Sequence, residues 1–155
     1  MSAEQWRQPS PRLRVARHLE ALVPAVLLAL VLGVALAFDS WLAAALGAAV
    51  PLAVGAVVDV MLQRRVGSWA YLEREDDLLI RRGLLVRRLS VVPYGRMQFV
   101  DVTAGPVERP LGLATVRLHT AAAATDARIP GLDTEEAARL RDQLALLGEA
   151  RAAGL

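Results

Sequence analysis

Cysteine, lysine and asparagine are all absent from this 155-residue chain. The first absence excludes disulfides, thiol nucleophiles and cysteine-ligated metals. The second means that all 18 basic residues are arginine. With alanine so abundant, this reads as the codon bias of a GC-rich genome, so arginine here is weak evidence for guanidinium chemistry. Histidine is scarce. His18 flanks a long apolar run, and His119 sits in a strand-like segment where a surface role is expected rather than a catalytic one. The spacings HExxH, GxxxxGK[ST], GxSxG and the EF-hand loop are missing too, so none of those chemistries has its motif. No catalytic residue, metal site or cofactor is expected. A basic excess is also lacking where nucleic acid would require one. Residues 67–155 hold twelve arginines and twelve acids, whereas a nucleic-acid-binding domain is usually basic.

What the chain does have is apolar surface, 55% of its residues, unevenly placed. Residues 22–38 run for 17 positions without a charge and residues 41–58 for 18, with only Asp39 and Ser40 between them. A membrane span needs about 17–25 mainly apolar residues. Both runs qualify, and the two-residue break predicts a transmembrane helical hairpin. The expected organisation is a tail over 1–18, the hairpin over 19–62, a folded domain over 67–148 and a short tail over 149–155. Arg7, Arg12, Arg14 and Arg17 precede the first run, Arg64 and Arg65 follow the second, and the turn carries only Asp39. The positive-inside rule then places both termini in the cytoplasm of a cell membrane crossed twice. A cleavable leader ending near Ala35-Leu36-Ala37 is the competing reading, and the second run would still hold the C-terminal half inside. Asp39 and Asp59 lie at span ends and read as boundary residues rather than an ion path.

Small residues recur every four positions in both runs: Ala25, Ala29, Gly33 and Ala37, then Ala43, Gly47, Pro51 and Gly55. Each set forms one helix face suited to close packing in lipid, within the hairpin or against a partner. The alternative is that alanine is simply common here. Pro24 is expected in the first turn of its helix, and Pro51 mid-span, where it should kink helix two.

From Ser68 the pattern changes to short apolar runs bounded by Gly, Pro and Asp, which are strand signals. Strands are expected at 69–72, 78–82, 86–92, 98–103, 114–120 and 128–129, with Asp76-Asp77 in a hairpin turn and Pro130-Gly131 ending the sheet. A helix then opens at Asp133 or Thr134, carries Ala137, Leu140, Leu144 and Leu147 at helical spacing, and closes at Gly148. Six or seven strands and one amphipathic helix suggest a small sandwich or barrel plugged at one end.

The ordered set Trp69-x-Tyr71, Gly83, Pro93-Tyr94-x-Arg96-x-Gln98-x-Val100, Arg109-x-x-Gly112-Leu113, Thr120-Ala121 and Ile129-Pro130-Gly131-Leu132 resembles the bacterial pleckstrin-homology-like (PH-like) domain of YdbS-type membrane proteins. The resemblance covers the whole chain in architecture and residues 67–147 in motif. It implies a two-helix transmembrane hairpin followed by an all-β PH-like sandwich or barrel of seven strands, capped by a C-terminal α-helix. It carries no settled biochemical activity with it.

Two arginine pairs, Arg81-Arg82 and Arg87-Arg88, flank the Gly83 turn. With Arg96 they are the candidate lipid or partner contact. Successive strand residues point to opposite faces, so the four hairpin arginines cannot form one plane. Leu78, Ile80, Leu89 and Val91 are expected on the core side. Beside an anionic leaflet each arginine contributes about 1 kcal/mol. That is enough to orient a domain already tethered, and recruitment is not needed. The Pro93–Gln98 segment and Arg109 read as structural, Arg109 by pairing with Glu108 or a loop carbonyl. Two functions follow. One is a non-enzymatic scaffold that presents the PH-like domain to a membrane protein partner or a PH-like paralogue. The other is an anionic-lipid-binding module at the inner leaflet.

Overall fold

The computed structural model describes residues 5–121 and 127–153. It divides into a helical unit, residues 14–64, and a sheet unit formed by residue 65 onward together with the chain up to Leu13.

In the helical unit, α1 spans Arg12–Leu36 and α2 spans Trp41–Val66. Both are long and apolar enough to cross a membrane. Ser40 Oγ accepts the Ala43 N–H at 3.1 Å and so caps α2. Side chains such as Leu30, Val31, Val54 and Val57 stand outward and exposed, the arrangement of helices solvated by lipid rather than by a protein core. Because α1 begins at Arg12, Pro24 lies well inside it and not in its first turn.

In the sheet unit, β1 (Ala70–Glu73), β2 (Asp77–Arg82) and β3 (Arg88–Pro93) form one antiparallel sheet. The strands β4 (Met97–Thr103), β5 (Leu113–Thr120) and β6 (Ala127–Asp133) form a second. The helix α3, Thr134–Ala152, follows. A short 3₁₀ turn, Tyr94–Arg96, joins the sheets. Leu78, Ile80 and Val92 from the first sheet meet Val116, Leu118 and Ile129 from the second. Ala137, Leu140 and Leu144 of α3 close the same core, fully buried, as their spacing predicts. Glu135 and Glu136 sit in the first turn of α3, where the helix dipole favours acids. The result is the PH-like sandwich with its C-terminal helix. The described residues hold six strands rather than the implied seven.

Three local expectations change. The third strand starts at Arg88, not Val86, so residues 83–87 form the connection. This fixes the register at Leu78↔Val92, Ile80↔Ser90 and Arg81↔Leu89. Opposed residues share a face, so Val92 enters the core while Leu89 and Val91 stand on the other side, 56% and 48% exposed. Pro130-Gly131 does not end the sheet. Ala114 faces Leu132 and Val116 faces Ile129, so two residues of β6 oppose one of β5, a bulge that takes the proline out of the ladder. Gly148 lies within α3 rather than closing it.

The N-terminal segment adds a feature with no sequence signal. Arg7 and Tyr71 exchange two backbone hydrogen bonds, 2.8 and 2.9 Å, at the free edge of β1. Ser10 N–H then donates to the Gly131 carbonyl of β6 at 2.8 Å. The segment thus straps one sheet to the other. Leu13 completes it, 1% exposed, against Gly131, which has a positive φ of 68° and where a Cβ would come within 2.5 Å of the Leu13 side chain.

Candidate functional site

The β2–β3 hairpin brings Arg82 directly opposite Arg88, so these two share a face and extend past the core-facing pair Ile80↔Ser90. Arg81 points the other way with Leu89, and Arg87 belongs to the connection. The tight turn needs Gly83. Its φ is 113°, and a side chain there would strike the Val86 carbonyl. Its N–H donates to Ser68 Oγ at 3.2 Å, and Ser68 Oγ donates to the Arg65 carbonyl at 2.7 Å. The turn projects Leu84, Leu85 and Val86, which are 50%, 96% and 68% exposed.

Three residues missed at the level of sequence complete this end of the unit. The Arg81 guanidinium lies 4.8 Å from the Trp6 ring centroid. Arg82 and Arg128 both approach the Trp69 ring, at 5.8 and 6.0 Å. Trp69 is itself buried. Such guanidinium–indole contacts are mildly attractive. Among the described residues none of Arg81, Arg82, Arg87, Arg88 and Arg128 is paired with a carboxylate. A basic field therefore exists locally, although the charge over 67–155 is balanced, because the acids lie elsewhere. Only the isolated Trp69-x-Tyr71 spacing hinted at it. Arg128 sits on another strand and Trp6 about 60 residues upstream.

Arg96 is not part of this group. It stands exposed in the turn after β3, at the far end of a six-pair ladder, some 16 Å away at about 3.3 Å per residue. Charges pair along the β1 side of the unit and at that far end. Glu136 Oε1 accepts from Arg7 Nη1 at 2.9 Å, Tyr71 Oη at 3.1 Å and Arg139 Nη2 at 2.7 Å. Arg139 also reaches Glu73 at 2.9 Å, and Arg151 pairs with Asp76. The Arg139 hydrogen bonds hold the Glu136 carboxyl down at about 2. Burial, with Glu136 beside it, pushes Tyr71 up to about 12. Tyr94, fully buried, donates to the Arg74 carbonyl at 2.9 Å, and burial raises it to about 12 as well. The side chains of the Pro93–Gln98 segment thus split between core and solvent. The Arg109 carbonyl accepts the Gly112 N–H at 3.1 Å, while Glu108 Oε2 accepts that of Gly105. His119 stacks on Phe99 at 4.3 Å and faces Asp101 at 3.6 Å.

The small-residue positions meet unequally in the helical unit. Ala25 and Ala29 are buried. A Cβ at Gly55 would collide with that of Ala25, and one at Gly47 would come within 2.7 Å of Leu36 Cδ1 and 3.3 Å of the Leu32 carbonyl. A Cβ at Gly33 would lie 3.5 Å from that of Ala48, an ordinary contact. Pro51 is buried, Ala43 half-buried, and Ala37 exposed in the turn beyond α1. His18 Nδ1 and Asp59 Oδ1 lie 2.9 Å apart, and Gln63 Nε2 donates to the Arg14 carbonyl at 2.9 Å. Among the described residues, no three acids or histidines cluster as a metal site would require.

The comparisons with known proteins agree with this architecture. No solved structure matches the chain significantly. The UPF0699 transmembrane protein YdbS of Bacillus subtilis (strain 168) is 36% identical over 153 residues, 95% of each chain. The family model described as Bacterial PH domain matches residues 15–147, and its span includes α2, both sheets and most of α3. With two candidate spans and a PH-like sandwich on one chain, this is a membrane protein that belongs to the bacterial PH domain family.

Proposed function

We propose that the chain is a non-enzymatic scaffold of the cell membrane, passing through it twice with both termini in the cytoplasm and offering its PH-like unit to a membrane protein partner, of which a PH-like paralogue is one form. The observation that carries this reading is the β3 edge. It is the last strand of its sheet, and Leu89 and Val91 stand half-exposed along it. An unpaired edge offers a row of backbone donors and acceptors to a strand of another chain, and two aliphatic side chains at alternate positions give that strand something to pack on. The arginine bias around the spans supports the orientation.

The test is co-purification in mild detergent from native-level expression. A partner is expected with the wild-type chain and is lost with Leu89→Lys/Val91→Lys, charges that block strand addition. It is retained with Phe99→Lys, a change at an equally exposed site on the other sheet. A chain that elutes alone and monomeric overturns the reading. Reporter activity outside the cytoplasm, from a fusion at Leu155, overturns the orientation.

A further inference from the structure

One end of the sheet unit concentrates features that the rest of it avoids. Leu84, Leu85 and Val86 are a bare aliphatic tip, and Leu85 at 96% exposure touches almost nothing. Arg81 and Arg82 precede the tip, and Arg87 and Arg88 follow it. The Arg82↔Arg88 pair sets like charges directly across a ladder, an arrangement unfavourable by itself. Arg128 joins Arg82 near Trp69, and none of these arginines is paired with a carboxylate among the described residues. At the opposite end, by contrast, Arg139 and Arg151 pair with Glu73, Glu136 and Asp76, although Arg96 stands exposed there.

The base of the tip is also placed by the chain itself. Gly83 donates to Ser68, and Ser68 lies two residues beyond Val66, where the candidate span α2 ends. The tip is therefore rooted where the chain leaves the apolar helix. We infer that the β2–β3 tip is a bilayer contact: Leu84, Leu85 and Val86 enter the interfacial layer of the membrane that holds the chain's own spans, and Arg82, Arg88 and Arg128 take anionic lipid phosphates beside Trp69. Arginine suits that layer as a phosphate ligand. A bilayer is favoured over a protein because the apolar part is a protruding tip, not a face or groove, and because its root is joined to a span. The inference does not depend on what the β3 edge binds.

A chain without cysteine makes the test direct. Leu85→Cys carries an environment-sensitive fluorophore, and Glu149→Cys, exposed near the C-terminal end of α3, is the control. The full-length chain is reconstituted in phosphatidylcholine vesicles, with or without phosphatidylglycerol. The Leu85 label is expected to emit to the blue of the control and to be quenched by a headgroup nitroxide lipid, more strongly with phosphatidylglycerol. Arg82→Gln/Arg88→Gln is expected to reduce that quenching to the phosphatidylcholine level. A water-like Leu85 label in both vesicles overturns the insertion. Unchanged quenching in the double variant overturns the phosphate role. Shielding that occurs only when a second protein co-purifies makes the tip a protein contact instead.

Discussion

Glu136 is the residue on which the paired end of the sheet unit converges, since one carboxylate oxygen accepts from Arg7, Tyr71 and Arg139. Exposed ion pairs contribute only about 0–1 kcal/mol each, so their number means little, but a shared carboxylate gives them a pH signature. Its pKa of about 2 lies below the ordinary 4.5. The stabilisation is thus fully present above 4.5 and is lost as pH falls from there towards 2. Tyr71 works in the other direction. Raised from 10 to about 12, it stabilises below 10 and loses that contribution as pH climbs through 10 towards 12. The thermal midpoint of the full chain in detergent is therefore expected to fall on acidification through this lower window, and Glu136→Gln should make that fall shallower. An acid limb of unchanged steepness in the variant would assign the effect to other carboxylates.

Between elements, α1 and α2 approach closely, where glycine on one helix receives alanine or backbone from the other. Gly55→Leu must push Ala25 aside, and overpacking of this kind costs about 1–3 kcal/mol. Ala43→Leu, at a half-buried site near the turn, should cost less than about 0.5 kcal/mol. Thermal melts of the two variants in the same detergent compare them, and equal midpoints would remove the small-residue positions from hairpin packing. Elements of this kind were legible in the sequence because their period is local. The uncharged runs gave the helices, and Ala137, Leu140 and Leu144 gave the buried face of α3. The face of β3 was not legible, because Leu89, Val91 and Val92 place apolar side chains on both parities and only the length of the 83–87 connection decides between them. Nor was the Trp69, Arg82 and Arg128 group, whose members come from three separate segments and meet only after the sheets pair.

At the scale of the whole molecule, the strap at residues 7–13 is what makes the sheet unit more than residues 65 onward. It supplies the hydrogen bonds from Arg7 and Ser10 and the fully buried Leu13. Truncating a buried leucine to alanine costs about 2–5 kcal/mol. Leu13→Ala should therefore expose the β1 and β6 amides to faster hydrogen exchange in the full chain, while the amides of α2 between residues 41 and 64 keep their protection. Protection of β1 and β6 that does not change would show that the strap adds nothing to the unit. The same strap dictates an order of events during synthesis. Arg7 and Ser10 leave the ribosome before either apolar helix, yet Gly131 follows Ser10 by about 120 residues, roughly 6–24 s later at about 5–20 residues per second. Until then the Ser10 hydrogen bond to β6 and the packing of Leu13 on Gly131 cannot form. The sheet unit therefore reaches its finished form only after both apolar helices have been translated.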